Sequence, residues 1–209
     1  MPLDRNRIEA IVRKVLQESA SSRLVVAGVS NRHLHLSRED ADALFGRGFE
    51  PERLRDLRQP GQFACRETVL LATGRGSIEN VRLLGPIRSR TQVEISASDA
   101  RRLGITLPLM KSGTPGRTPE VVVIGPKGSI ILSEGIGIAW RHLHLSPSEA
   151  EFFGLKDGDE VDVEAGGERG VVFRRVWVRV GEGMVSEFHV DVDEANACGL
   201  ETGDRVRVL

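Results

Sequence analysis

The chain holds five histidines, and four of them sit in two copies of one motif. His33 and His35 flank Leu34 in residues 31–37 (NRHLHLS), and His142 and His144 flank Leu143 in residues 140–146 (WRHLHLS). In an extended strand, residues two apart point to the same face, so each His-Leu-His is a ready pair of imidazole donors. Zinc at catalytic sites takes three protein ligands and keeps one position open. A second match between the halves supplies the third ligand. Residues 81–104 align with residues 176–199 without a gap, and this places Glu94 opposite His189. The candidate sets are therefore His33, His35 and Glu94, and His142, His144 and His189. A lone histidine is usually a satisfied core or surface residue. Two pairs in register, with paired third ligands and no histidine left over, argue for metal instead.

The repeat also shows where the halves differ. Arg88 in residues 85–90 (GPIRSR) lies opposite Gly183. A guanidinium present in one half only, six residues before a candidate ligand, suits phosphate or carboxylate through its fork of donors. The competing reading is a solvated turn arginine. Arg32 and Arg141 precede both motifs symmetrically and look like framework. Cys65 and Cys198 lie in no nucleophile motif and read as small core residues.

Strands and short helices must position these groups. Both motifs lead into acidic, helix-prone stretches that stop at Gly46 and Gly154. Ser37 and Ser146 suit the N-cap, Pro147 the first helical position, and Glu149 completes a capping box. Short β-branched runs at 23–29, 68–73, 92–95, 120–124, 130–132, 160–164, 171–180, 187–190 and 205–209 are predicted strands, separated by glycine-rich or polar turns. Residues 111–119 read as a connector or exposed loop. The expected architecture is mainly β: two small β-barrel domains related by internal duplication and capped by short helices, with an N-terminal amphipathic helix. The expected division is 1–22 for helix and hinge, 23–140 for the first barrel and 141–209 for the second.

Ile8, Ile11, Val12, Val15 and Leu16 form one face of that first helix, before a serine-rich hinge at 19–22. The helix either packs on the parent domain or docks its stripe in a partner's groove. With 209 residues, the chain has room for one ordinary domain or two small ones. A net charge of -1 argues against a nucleic-acid binder, and no apolar run is long enough for a membrane helix. Two cysteines cannot build a disulfide framework, so a reducing cytoplasm is the expected location.

Residues 30–36, 84–94, 140–145 and 187–196 resemble the PduL-type phosphate acyltransferases, the phosphate propanoyltransferases. The resemblance runs from about residue 24 to residue 209. It implies transfer of a short acyl group, propanoyl or acetyl, between coenzyme A and inorganic phosphate, with two Zn2+ ions in two small β-barrels. It assigns both candidate sets as zinc ligands and Arg88 as the catalytic arginine. It further implies coenzyme A contacts at Ser30, Arg82 and Leu84, and pairing of the strand near 23–30 with the second barrel. Members housed in bacterial microcompartments carry an amphipathic N-terminal extension. Residues 1–20 are similar to that, which implies a shell-protein partner and a place inside a microcompartment. A homo-oligomer is compatible with the sequence. Two other classes use the same residues: a zinc-dependent thioester or ester hydrolase with a metal-bound water, and a noncatalytic metal-binding scaffold.

Overall fold

The computed structural model describes Glu9, residues 23–111 and residues 117–209. The helix expected over 1–22, with its reading as a tag, falls outside these residues except for Glu9. The first half contains β1 (Leu24–Ser30), β2 (His33–His35), α1 (Arg38–Phe45), β3 (Arg53–Asp56), β4 (Phe63–Ala72), β5 (Ser77–Gly85), β6 (Gln92–Glu94), α2 (Ala97–Arg102), β7 (Leu109–Met110), β8 (Arg117–Ile124), β9 (Ser129–Glu134) and β10 (Ile136–Ala139). The second contains β11 (His142–Leu145), α3 (Pro147–Phe153), β12 (Glu160–Ala165), β13 (Val171–Val180), β14 (Glu187–Asp191), α4 (Val192–Cys198) and β15 (Arg205–Val208).

The protein is mainly β. Six strands close a barrel in the order β1-β14-β11-β13-β12-β15. The other nine form a curled half-barrel that stays open, in the order β7-β10-β6-β2-β5-β4-β8-β9, with β3 paired to β4. The duplication is visible in the pairing. β2 lies antiparallel to β6 and parallel to β5, and β11 lies antiparallel to β14 and parallel to β13.

The strand that leads into each His-Leu-His motif crosses to the other sheet. β1 precedes β2 but pairs in parallel with β14, with Gly28 beside His189. β10 precedes β11 but pairs in parallel with β6, with Gly137 beside Glu94. The two halves thus exchange lead strands, and each exchanged strand places a glycine beside the third candidate ligand of the other half.

Two separate apolar cores follow from the strand alternation. Leu34, Leu83 and Val93 point into the first, while Leu143, Val178 and Phe188 point into the second. The histidines alternate with these core residues, so they occupy the outer faces of both sheets. Each side chain of this kind buries about 1.5–3 kcal/mol of apolar transfer energy, which fixes the register and therefore the face of every histidine. Helix caps secure the junctions. The Ser37 hydroxyl accepts from the Asp40 amide at 3.1 Å. Ser146 and Glu149 form the reciprocal capping box, and Gly154 ends α3 in the left-handed conformation.

Some elements differ from the sequence reading. Residues 117–119 begin β8 instead of continuing a loop. Pro119 is tolerated because the β8–β9 register shifts between Arg117 and Val121, so no ladder bond is required of it. β3, β7 and β10 are strands that periodicity does not reveal. β3 is exposed at all four positions and pairs with β4 alone, so it has no buried face to pattern.

Candidate metal centre

The outer faces of the two sheets meet, and the candidate residues line the meeting. The loop before β4 reaches across. Gln59 Nε2 donates to Glu187 Oε2 at 2.7 Å and to the Val185 carbonyl at 3.0 Å. Arg58 Nε donates to the Ser186 carbonyl at 3.3 Å. At another point the Ser98 amide donates to Asp193 Oδ2 at 2.8 Å. These bonds bury the histidine faces: His33, His35, His142 and His144 are all buried although they lie outside both sheet cores.

In the second half, His142 and His189 are cross-strand partners, with His144 two residues along. The candidate ligand atoms of His142, His144 and His189 all lie within 4.8 Å of one another. His142 Nε2 and His144 Nε2 stand 3.0 Å apart. On a tetrahedral zinc with Zn–N of about 2.0–2.1 Å, ligand nitrogens are roughly 3.3 Å apart, so this spacing fits. The Nδ1–H of His142 donates to the Trp140 carbonyl at 2.8 Å, which fixes the tautomer that leaves Nε2 free to bind. Burial, followed by the charge of His189, pushes His142 down to about 3. Burial, with His142 and His189, pushes His144 down to about 2. Both rings are therefore neutral at ordinary pH, the form a metal needs.

The first half repeats the scaffold with a different donor set. The Nδ1–H of His33 donates to the Asn31 carbonyl at 2.8 Å, the counterpart of His142 to Trp140. His33 and Glu94 are cross-strand partners, and His33 Nε2 lies 3.4 Å from Glu94 Oε2. The His33 and His35 rings are 5.6 Å apart, against 4.7 Å for His142 and His144. Burial opposes the charge on His33, but the hydrogen bond and charge of Glu94 outweigh it and raise its pKa. Burial also opposes the charge on Glu94, yet His33 above all holds it down at about 2. Burial and the charge of Arg88 press His35 to about 3. His35 Nδ1 is buried with no hydrogen-bond partner among the described residues. Two buried imidazoles with a carboxylate paired to one of them form a donor set that suits a cation. The donor chemistry of both sets thus fits a zinc ion, with the second set already convergent.

Arg88 follows β5 and is held by its backbone. Its amide donates to the Leu36 carbonyl at 2.9 Å, one residue beyond His35. Its side chain is half-buried, and Nη2 donates to Gln62 Oε1 at 3.0 Å. Arg82 lies opposite His33 in register, with Nη1 bound to the Cys65 and Arg66 carbonyls at 3.0 and 2.6 Å. Leu84, two residues on, is half-buried on the same face. Ser30 ends β1 beside Asp191. Arg32 and Arg141 form matching ion pairs at 3.0 Å, with Asp99 and Glu194, each tying a helix to the strand that carries a motif. Cys65 and Cys198 are buried and free, and burial pushes the Cys65 thiol up to about 11.

A family model described as phosphate propanoyltransferase matches residues 26–201. The chain belongs to the phosphate propanoyltransferase family. It is accordingly an acyltransferase. The phosphate propanoyltransferase of Rhodopseudomonas palustris is 54% identical over 184 residues, covering 88% of this chain and 81% of that protein. That of Thermotoga maritima is 50% identical over 199 residues and covers 95% of each chain. That of Citrobacter freundii is 46% identical, covering 95% of this chain and 94% of that protein. No helix among the described residues is long and apolar enough to cross a membrane.

Several site residues escape the sequence reading. Glu187 accepts from Gln59 and lies 2.9 Å from His189 Nε2, so it orients the third imidazole. Gln92 Nε2 donates to Glu94 Oε1 at 2.6 Å in the equivalent place. The repeat alignment sets Gln92 opposite Glu187, and that correspondence was the available signal. Arg179 lies opposite His144 in the β11–β13 register. No motif marks it.

Proposed function

We propose that this chain moves a short acyl group, propanoyl or acetyl, between coenzyme A and inorganic phosphate, at a site that binds two zinc ions. The first ion would be held by His33, His35 and Glu94, and the second by His142, His144 and His189. The convergence of the three second-half imidazoles, on a buried face that Glu94 also influences, carries this reading. Family membership supports the reaction class. A zinc ion held there supplies Lewis-acid chemistry for a thioester carbonyl or a departing thiolate.

The chain's own residues contribute binding and orientation. Arg88 is the candidate catalytic residue. Its half-buried guanidinium would hold phosphate beside His35 and offset its charge, which is positioning plus electrostatic stabilisation. Ser30, Arg82 and Leu84 are the candidate coenzyme A contacts. Gln59 and the meeting sheets restrict water on the histidine faces, favouring phosphate over water as the acyl acceptor. No covalent enzyme intermediate is needed, in keeping with a Cys65 thiol that burial keeps protonated.

The deciding assay measures thiol release from acyl-coenzyme A of increasing chain length, with and without phosphate, on protein of known metal content. Phosphate-dependent release supports the transferase. Phosphate-independent release favours a hydrolase, and unaltered thioester favours a scaffold. Residues 1–20 are proposed to address the enzyme to a microcompartment shell. Deleting them is expected to leave activity intact and abolish co-assembly with shell protein. Loss of folding would support a packed helix instead.

A further inference from the structure

Along β13 the arginines divide in two. Arg174 and Arg175 are exposed, and each is neutralised by a carboxylate: Arg174 by Asp162 at 3.3 Å and Arg175 by Glu160 at 2.9 Å. Arg179 is half-buried and has no carboxylate within ion-pair distance among the described residues. The nearby acid Asp157, whose Oδ1 accepts from the Val180 amide at 2.9 Å, acts on Arg179 only through space and not as an ion pair. Taking a cation out of water without a counter-ion is costly, so such a group belongs where an anion arrives.

The place is specific. Arg179 is the register partner of His144, on the face that carries His142, His144 and His189. Its guanidinium lies 5.4 Å from the ring centroid of Trp177, the register partner of His142. Lys111 Nζ lies 5.0 Å from the same ring. Cation–π contacts of this kind hold a guanidinium in place while leaving its donors available. The influence of Glu94 reaches Arg179, and the charge of Arg179 in turn weighs on Arg88, after burial itself. The two guanidiniums are therefore near enough to repel each other.

The repeat adds an independent point. Arg179 aligns with Leu84, and Arg88 aligns with Gly183. Neither arginine is matched in the other half, so neither is inherited framework of the kind seen in Arg32 and Arg141. We propose that Arg179 is a second anion-binding residue of the reaction, gripping inorganic phosphate from the second half as Arg88 does from the first. This rests on the acyltransferase reading above.

The test uses the full-length, metal-loaded protein with Arg179→Gln and Arg179→Lys beside wild type. The KM values for phosphate and for acyl-coenzyme A are measured separately, together with the rise in Tm that phosphate produces. Arg179→Gln is expected to raise the phosphate KM about tenfold or more, the scale of a lost charged hydrogen bond. The acyl-coenzyme A KM should stay within about twofold, and the phosphate-induced rise in Tm should vanish. Lysine, which keeps the charge but not the fork, should fall between. An unchanged phosphate KM and Tm response overturns the inference, and so does a parallel rise in both KM values. Should Arg179→Gln fail to fold, Arg179→Met, unbranched and neutral, decides by the same criteria. Wild type that releases thiol without phosphate dependence would instead overturn the acyltransferase reading itself.

Discussion

On β11 and β14, three imidazoles converge with their ligand atoms within 4.8 Å and no acid among them. On β2 and β6, the same backbone positions hold His33, His35 and Glu94, and Glu94 already lies 3.4 Å from His33. The first set can satisfy part of its own charge without a guest. In the second the acid comes from outside the trio: Glu187 Oε2 lies 2.9 Å from His189 Nε2, while His142 and His144 form no ion pair among the described residues. One duplicated scaffold thus carries a site whose acid is one of the three candidate ligands and a site whose acid stands behind its third imidazole. The difference arises from one residue, Glu94 against His189, placed by identical cross-strand pairing.

The largest effect should come from the three-imidazole side. His142→Ala is expected to remove one bound metal and lower turnover more than about 100-fold, exceeding the usual cost of losing a supporting partner. Glu94→Gln, which keeps an oxygen donor, should cost less. Metal stoichiometry and steady-state turnover measured on both variants check this, and equal losses would erase the proposed asymmetry. Arg88→Ala comes next, at roughly 100-fold in turnover, the scale of one lost donor to a developing charge. Its repeat partner is Gly183, so the second half has no residue at that position to compensate. Turnover near wild type across a range of phosphate concentrations would remove Arg88 from phosphate binding.

Acid should separate His33 by sign from His35, His142 and His144 in the chelated, metal-free protein. His142 and His144 have folded pKa values of about 3 and 2. Below the unfolded value of about 6.5, the unfolded chain takes up protons that these folded rings refuse. Stability then falls with pH, by up to about 1.4 kcal/mol per unit for each ring. His33 works the other way. Its raised pKa adds stability below the unfolded value, and that contribution is lost as pH rises through the folded value. Glu94, held at about 2, stabilises above the unfolded carboxylate range and loses this as pH falls toward 2. Denaturant unfolding at pH 7.5 and pH 5 should show a smaller acid loss in His142→Gln/His144→Gln and a larger one in His33→Gln. Equal slopes in all three proteins would refute the sign difference.

Much of this was legible in the residues. The His-Leu-His spacing sets the strand faces, and the gapless second match puts Glu94 and His189 in equivalent places. The capping box at Ser146 and Glu149 needed only local sequence. The reciprocal crossing of β10 was not legible, because strand pairing is a long-range property and Ile136–Ala139 looks like any short apolar run. Arg179 was hidden among the arginines of β13, since alternation assigns a face but cannot tell an exposed outer face from one covered by another sheet. Gln59 was hidden for a related reason: its partners lie more than a hundred residues away.

The exchanged strands give the smallest and finest comparison. Gly28 and Gly137 occupy equivalent places in the duplication, each beside the third candidate ligand of the opposite half. A methyl group at Gly28 would stand 2.7 Å from Glu187 Oε1 and 2.9 Å from His189 Cδ2. Glu187 is buried and bound to Gln59, so it has little room to yield, and His189 must shift out of the trio. At Gly137 the added methyl group would meet Met110 alone, at its Sδ, Cγ and Cβ, and the flexible thioether can turn away from the closest of these contacts. Gly28→Ala should therefore cost about 1–3 kcal/mol, the range of overpacking, with weakened metal binding. Gly137→Ala should cost less than about 1.5 kcal/mol and leave metal content unchanged. Denaturant midpoints and metal stoichiometry test the pair together. If Gly28→Ala keeps its full metal content, β1 is only a strand of the barrel and does not help to set the position of His189.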